Sequence, residues 1–299
     1  MPPLRCFSSD AYFAPLPPGH VFPMEKFPQS AKQVREEKIG QVIDPGRIAD
    51  EDLLRVHTLA YVRSIQTGTY NEATQRKVGL PWSQRLSDRS HAATAGTLAA
   101  ARAAMRDGIA VNLAGGTHHA FADKGEGFCV FNDVAVAIRA LRQDEPLLHA
   151  FVLDLDAHQG NGTNAIFAND PFTFTYSVHV AKNYPSEKVP GSMDVGLSRY
   201  AGAGEYFENL QNTLPRAVEQ FEPDIVFYNA GVDVHIDDRF GQMKLSTEDM
   251  ASRDEFAIKL CRSWAIPTVV VYGGGYNKTP GMTASLHVQT VRVAAGFVK

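Results

Sequence analysis

The sequence predicts an α/β fold in which a central parallel sheet is flanked by helices on both faces. Short apolar runs typical of strands alternate with helical patterns along the whole chain. The strand-like runs are apolar without alternation, as expected of strands buried on both faces of a parallel sheet. No composition shift, linker or internal repeat divides the 299 residues, so we expect a single domain over residues 1–299.

The first part of the chain supplies one strand and several helices. Residues 4–8 predict a short strand, and the proline-rich segment 15–23 is expected to be irregular. A helix is predicted to begin near Met24. Residues 50–65 place apolar side chains at helical spacing behind an acidic first turn, which favours a helix N-terminus. The alanine-rich segment 89–106 predicts a long helix.

The remaining chain continues the alternation of strands and helices. Further strands are predicted at residues 108–114, 150–155, 172–180, 225–228 and 268–272. Further helices are predicted at residues 134–141, 206–221, 247–264 and 286–298. Polar clusters follow several of these strands, and the carboxyl ends of parallel strands meet at the edge where such folds bind ligands. We therefore expect one site assembled from separate segments.

Composition limits the kinds of partner and compartment. The chain has 29 basic and 33 acidic side chains, a net charge of -4, which is unlike proteins that bind nucleic acid through clustered Lys and Arg. No apolar run reaches the length of a membrane span or signal segment. The three scattered cysteines indicate neither a disulfide framework nor a cysteine zinc site: Cys6, Cys129 and Cys261. We expect a soluble cytoplasmic protein that binds no nucleic acid; its oligomeric state is left open.

The segment Asp154-Leu-Asp156-Ala-His158 follows a predicted strand and carries metal-binding side chains. In an extended chain the period-two alternation puts all three polar residues on one side. Asp156 and His158 can together bind a divalent cation, and Asp233, at another strand end, is the best-placed third ligand. Two carboxylates and one imidazole with an open position are compatible with catalytic zinc, and also with ferrous iron or cobalt. Alone, the motif could also be an ordinary polar turn.

Two further clusters favour a catalytic site. His118 and His119 follow a strand, and one imidazole of such a pair can act as general base. Asp154 is free to orient one of them if Asp233 binds the metal. The run Gly273-Gly-Gly-Tyr276 is either a tight turn or a means of bringing the tyrosine hydroxyl to an oxyanion. Six further histidines are interpreted as structural: His20, His57, His91, His149, His235 and His287.

Five motifs in this order resemble the zinc-dependent histone deacetylase family of the arginase/deacetylase superfamily. They are GGTHH (115–119), GFCVFND (127–133), DLDAHQGNGT (154–163), NAGVD (229–233) and GGGY (273–276). Three stretches are similar to the class IV branch and its bacterial relatives: 79–83, 156–162 and 228–241. The resemblance spans essentially the whole chain and implies the single-domain arginase/deacetylase fold, with about eight strands.

The resemblance also implies roles for individual residues. Asp156, His158 and Asp233 would bind zinc. His119 would be the general base, and His118 its electrostatic partner, held by Asp154. The other implied site residues are Tyr276, which polarises the scissile carbonyl, and the tunnel residues Gly127, Phe128 and Tyr184. The alternative for Phe128 and Tyr184 is a place in the aromatic core. A structural potassium ion would be held around Asp154, Asp156, His158, Ser177 and Val178.

Departures from the family pattern carry their own expectations. Asn161 stands where class I members have a second aspartate, so an amide would orient His119 and leave it less basic. The rim aspartate with which class I enzymes hold the substrate backbone is not identifiable, which leaves peptide specificity open. Gly160 stands where a binuclear manganese ureohydrolase would need another carboxylate, which disfavours that activity.

The function that the resemblance implies for these residues is hydrolysis of an Nε-acyl-lysine amide by metal-activated water, with either an acetyl or a longer fatty acyl group. The substrate would be an acyl-lysine peptide or protein, or an acylated small amine. The first alternative is an acetylpolyamine amidohydrolase, which would use the same catalytic residues. The second is a catalytically silent module that binds acyl-lysine, although such a module has no need of the metal ligands, the histidine pair and Tyr276.

Overall fold

A central sheet of eight strands organises the part of the chain described by the computed structural model, residues 3–298. The strands are β1 (Arg5–Phe7), β2 (Gln41–Ile43), β3 (Ile109–Asn112), β4 (Ala150–Asp154), β5 (Thr173–Val180), β6 (Met193–Leu197), β7 (Ile225–Asn229) and β8 (Thr268–Val271). Their order is β2-β1-β3-β8-β7-β4-β5-β6. Every neighbouring pair is parallel, which confirms the predicted α/β class.

Ten α-helices accompany the sheet over the same described residues. They are α1 (Lys26–Glu36), α2 (Asp50–Leu53), α3 (Leu59–Thr67), α4 (Glu72–Val78), α5 (Gln84–Asp107), α6 (Asp133–Leu141), α7 (Asn161–Phe167), α8 (Ala203–Phe221), α9 (Thr247–Ser263) and α10 (Pro280–Ala295). Helix α5 packs on α6 and on β1, β3 and β8, whereas α10 packs on α1, α9 and β3. Helices thus flank the sheet on both faces, as predicted. Within residues 3–298 no helix is both long and apolar enough to cross a membrane.

The structure corrects several predicted element boundaries. The helix predicted over residues 50–65 is two helices, because the chain leaves α2 after Leu53 and begins α3 with a new cap at Thr58, whose Oγ1 accepts from Tyr61 N at 3.3 Å. The chain enters α7 at Asn161, three residues after His158. Helix α10 starts at Pro280, earlier than predicted, behind the capping side chain of Thr279.

Two strands, β2 and β6, and two helices, α4 and α7, had no sequence prediction. Strand β2 has three residues, too few to show a pattern, and β6 is an edge strand whose burial alternates along its length. Helix α4 is largely solvent-exposed and lacks an apolar stripe, although Asn71 caps it through Oδ1, which accepts from Thr74 N at 2.9 Å. Short or edge elements bury little apolar surface, so hydrophobic periodicity does not mark them.

The four central strands end level with one another, and this alignment positions the site. Asp154 of β4 is in register with Asn229 of β7, which is in register with Val271 of β8, and Val271 is in register with Asn112 of β3. The polar motifs that follow these four strands therefore leave the sheet side by side. Their meeting place is the carboxyl edge, where parallel α/β sheets bind ligands.

Candidate active site

Asp156, His158 and Asp233 converge at the carboxyl edge of the sheet. One ligand atom from each residue lies within 4.8 Å of the other two, and all three side chains are buried. Among residues 3–298 it is the one group of three or more Asp, Glu, His or Cys side chains whose ligand atoms lie this close together. His158 Nδ1 lies 3.1 Å from Asp156 Oδ1 and 2.9 Å from Asp233 Oδ2. The structure thus brings together the three residues that the sequence suggested as metal ligands.

Backbone N–H groups hold the two carboxylates in place. Gly274 N donates to Asp156 Oδ2 at 2.7 Å, and Ala157 N donates to Asp233 Oδ1 at 2.9 Å. A Cβ at Gly274 would lie 2.4 Å from Asp233 Oδ2 and 2.7 Å from Asp156 Oδ2. Only glycine allows the backbone to approach both carboxylates so closely. The first part of the GGGY motif is therefore packed against the two acidic residues.

The convergence of these three side chains fits a divalent metal ion. Buried carboxylates are costly unless they are paired or bind a cation, and here two of them face one another across a single imidazole. Burial, followed by the negative charge of Asp156, raises the pKa of Asp233 to about 7. Two oxygen ligands and one nitrogen ligand suit zinc, ferrous iron or cobalt.

His118 lies beside the cluster and is paired with a carboxylate. Its Nδ1 is 2.6 Å from Asp154 Oδ2, and the other oxygen of Asp154 accepts from Asn229 Nδ2 at 3.0 Å. Burial opposes protonation of His118, but the charges of Asp154 and Asp156 outweigh it and raise its pKa to about 9. The pairing with Asp154 therefore favours the protonated form of this imidazole.

His119 stands in a different electrostatic environment, although it is the next residue. Its Nδ1 lies 2.7 Å from Asn161 Oδ1, an atom that only accepts hydrogen bonds, so Nδ1 carries the hydrogen and Nε2 keeps a lone pair. Burial, then the neighbouring His118 and His158, hold the pKa of His119 well below its ordinary value. A neutral imidazole with a free Nε2 is the form that accepts a proton.

Tyr276 is anchored at its backbone by two consecutive residues that the sequence reasoning did not assign. Asp238 Oδ2 accepts from Tyr276 N at 2.6 Å, and Arg239 Nε donates to Tyr276 O at 2.7 Å. Burial and the charges of Asp156 and Asp233 raise the pKa of Tyr276 well above its ordinary value, so its hydroxyl stays protonated as a donor. The run at residues 237–241 was the only sequence signal for this anchor, and it was noted solely as part of the resemblance.

Lys26 is another residue that the sequence reasoning missed. Its ammonium is buried beneath the glycine turn, 3.4 Å from Gly273 O and 3.5 Å from Gly275 O. Burial and the charge of Arg89 lower its pKa to about 8. Nothing in the sequence distinguishes Lys26 from an exposed helical lysine. Its contacts indicate that it supports the turn that carries Tyr276.

A cavity of about 390 Å³ leads from solvent to the histidines. Gly127, Phe128 and Tyr184 all line it, together with His119, His158 and Tyr276. The Tyr184 ring lies 4.8 Å from the His119 ring, and the Phe128 ring 5.6 Å from that of Tyr276. A Cβ on Gly127 would lie 2.6 Å from His119 Cδ2, so a side chain there would displace the histidine. Tyr184 is 40% exposed and therefore lies at the solvent end, outside the core.

Arg253 of α9 forms the floor beneath the cluster. The side chain is fully buried, and its Nη1 donates to Gly231 O at 2.7 Å and to Leu155 O at 3.3 Å. Its Nε donates to Asp254 Oδ1 at 2.9 Å. Leu155 directly precedes Asp156, and Gly231 lies two residues before Asp233. One guanidinium therefore ties together the two segments that carry the carboxylates.

The residues suggested for potassium lie on β4, on the turn that follows it, and on the neighbouring strand β5. Ser177 of β5 is in register with Asp154 of β4, and its hydroxyl lies 2.9 Å from His179 Nδ1. Val178 follows Ser177 in the same buried strand. The structure thus places these residues behind the Asp154–His158 turn.

Comparison with known proteins identifies relatives over most of the chain. The family model for the histone deacetylase domain matches residues 20–291. An uncharacterized protein of Picosynechococcus sp. is 38% identical over 271 residues, covering 89% of this chain and 90% of that protein. Histone deacetylase 2 of Arabidopsis thaliana is 30% identical over 261 residues, covering 82% of this chain and 65% of the plant protein, so less than two thirds of its length.

The fold also matches a solved structure. The crystal structure of the HDA15 HD domain superposes with a TM-score of 0.79 at 19% sequence identity, covering 97% of this chain and 88% of the other. At that identity the likeness concerns the fold alone.

Proposed function

The chain belongs to the histone deacetylase family, and from this premise we propose that it is a zinc-dependent lysine deacylase. Membership supports a hydrolytic deacetylase in general. The observation that carries the finer proposal is the convergence of Asp156, His158 and Asp233 at the inner end of a cavity that is also lined by His119 and Tyr276. The substrate would be an acyl-lysine side chain, extended along the cavity with its amide at the metal cluster.

The metal would be held by Asp156, His158 and Asp233. When bound, zinc supplies Lewis acidity, which polarises the amide carbonyl and lowers the pKa of a water molecule. Ferrous iron is compatible with the same ligands. Potassium would be held by the Asp154–His158 turn together with Ser177 and Val178, and its role would be structural.

His119 is the residue proposed to move the proton. Its free Nε2 would take the proton from the attacking water, and the same nitrogen would return it to the leaving lysine amine. Asn161 fixes the tautomer through Nδ1 at 2.7 Å. His118, positively charged beside Asp154, would stabilise the negative charge that develops on the substrate. General acid–base steps of this kind contribute about 10²–10⁴-fold to a rate.

Tyr276 would act on the carbonyl oxygen. Its hydroxyl remains protonated and is delivered into the cavity by an anchored backbone. A hydrogen bond from the hydroxyl would strengthen as the carbonyl oxygen gains charge, which is how a donor lowers an activation barrier instead of merely binding substrate.

The experiment combines metal analysis with a substrate panel. The substrates are peptides with one acyl-lysine and uncharged flanking residues, and their acyl groups range from acetyl to long fatty acyl. The zinc-loaded protein should hydrolyse members of this series. Acetylated polyamines are included for comparison. His158→Ala should lose both bound zinc and hydrolysis, whereas His149→Ala, at the opposite end of β4, should keep both. Hydrolysis that persists in the zinc-free His158→Ala protein would refute the scheme.

Two results would favour the alternatives. Turnover of acetylated polyamines without turnover of any peptide would indicate a polyamine amidohydrolase. Bound zinc without hydrolysis of any substrate would indicate a silent acyl-lysine binding module. A class IV assignment and a cytoplasmic location remain proposals; the second rests on three cysteines that are all free and buried.

A further inference from the structure

The mouth of the cavity is positively charged. Arg76 and Lys77, both exposed in the last turn of α4, line it together with Arg239 from the loop after β7. These three side chains are called the basic rim below. Two backbone bonds tie α4 to the tunnel wall, since Gly127 N donates to Lys77 O at 3.0 Å and Phe128 N to Val78 O at 2.8 Å. The charges of α4 are therefore held beside the entrance.

Little negative charge offsets the basic rim. Among the described residues that line the cavity there is no aspartate or glutamate. Arg239 donates to two carbonyls, Tyr276 O at 2.7 Å and Val21 O at 2.6 Å, so both of these hydrogen-bond partners are neutral groups. Asp238, its neighbour, is held by the backbone N–H groups of Phe240, Gly241 and Tyr276, and does not line the cavity.

The pairs formed by the α4 cations are weak. Arg76 lies 3.3 Å from Glu72, but the two side chains are 73% and 93% exposed. Lys77 lies 4.0 Å from Glu126, which is closer to Lys124, at 3.0 Å. The Arg76–Glu72 pair is solvated and contributes little, whereas Glu126, only 16% exposed, is held mainly by Lys124. The rim therefore presents net positive charge to a molecule that approaches the entrance.

We propose that the basic rim selects acyl-lysine substrates flanked by acidic residues, and that it disfavours acetylated polyamines and lysine-rich peptides. This inference rests on the proposed deacylase function and adds a substrate class to it. An acylated lysine side chain is uncharged, so the tunnel itself cannot sense charge. The flanking residues of a peptide, or the free amines of a polyamine, stay outside and meet the rim instead.

The expected discrimination is modest and depends on salt. One exposed ion pair changes affinity by at most about fivefold, so reversing a flanking charge against three rim cations should change kcat/KM by about tenfold. The Debye length is about 30 Å at 0.01 M salt and about 3 Å at 1 M, so the preference should almost vanish at high salt. A preference caused by shape would not respond to salt in this way.

The test uses the zinc-loaded protein and three peptides with one acyl-lysine each, differing only in acidic, uncharged or basic flanking residues. The acidic peptide should exceed the basic one by about tenfold in kcat/KM at low salt, mainly through KM. A fluorescently labelled version of each peptide that the enzyme cannot hydrolyse should show the same order of affinities in equilibrium binding. The Arg76→Gln, Lys77→Gln double variant should reduce the ratio severalfold, and Lys32→Gln, an exposed charge on α1, should leave it unchanged.

The outcomes separate this inference from the proposed function. If the uncharged peptide is hydrolysed while the acidic and basic peptides are equal, the inference is overturned and the deacylase function stands. A ratio that survives the double variant or high salt also overturns it. If no peptide is hydrolysed at any charge, the deacylase function fails, and the inference fails with it.

Discussion

Replacing Asn161 with aspartate tests how the site keeps His119 neutral. Asn161 Oδ1 lies 2.7 Å from His119 Nδ1, and both residues are buried. The substitution keeps the shape of the acceptor and adds a negative charge. The pKa of His119 lies well below its ordinary value, first because of burial and then because of His118 and His158. A carboxylate at this distance should raise that pKa by about 1–3 units, or about 1.4–4 kcal/mol.

The sign of the effect on activity follows from the proposed role of His119 as general base. The imidazole accepts a proton only when it is neutral, so activity falls as the pH drops through its pKa. Raising that pKa moves the acidic limb of the kcat/KM profile to higher pH, by about one unit or more. The measurement is kcat/KM for an uncharged acyl-lysine peptide between about pH 5 and about pH 9, because kcat/KM reports the groups of the free enzyme.

Two controls isolate the charge of the new carboxylate. Bound zinc is measured at every pH, so that loss of the metal is not taken for titration of His119. Asn161→Leu removes the acceptor without adding charge, and it should lower the rate without moving the limb upward. With zinc fully bound, an acidic limb that stays in place or moves downward in Asn161→Asp would refute this account of His119.

Three further substitutions test other parts of the site. Tyr276→Phe should lower kcat by about 10²–10³-fold with little change in KM, because the hydrogen bond of the tyrosine hydroxyl strengthens as charge develops on the carbonyl oxygen. Steady-state kinetics measure both constants, and equal losses in kcat and in substrate binding would contradict this role. Gly274→Ala should weaken zinc affinity by about 10–100-fold in a chelator competition, because the methyl group would meet Asp156 and Asp233. Asp238→Asn should lower kcat by disturbing the anchored backbone, and in combination with Tyr276→Phe its effect should be much smaller than alone; additive losses would separate Asp238 from the tyrosine.

The fold was predictable because its signal lies in buried strands. The four central strands are buried throughout and mainly apolar, and the polar motifs begin at or just after their ends, so a parallel sheet with one functional edge could be inferred from the sequence. The motif spacing also brought out Asp156, His158 and Asp233, which the structure places together. Strands β2 and β6 were missed because one is too short and the other lies at an edge with alternating burial.

The roles of the supporting residues could not be predicted from the sequence because they depend on long-range contacts. Lys26 is separated from Gly273 by 247 positions, yet its ammonium lies 3.4 Å from that carbonyl. Asp238 and Arg239 hold Tyr276 from a different loop. Such residues carry ordinary charges on ordinary segments, and periodicity or local spacing cannot show which backbone group they will meet. The charge of the basic rim depends on the same kind of three-dimensional assembly.

The buried guanidinium of Arg253 has a consequence for how variants of this protein are interpreted. Because it binds the carbonyls of Leu155 and Gly231 together, a substitution of Arg253 would disturb at once the two segments that carry the proposed metal ligands, without touching the cavity. A screen for activity would score such a variant as an active-site defect, although Arg253 does not line the cavity. Transplanting this chemistry into another scaffold would for the same reason require α9 as well as the loops at the sheet edge.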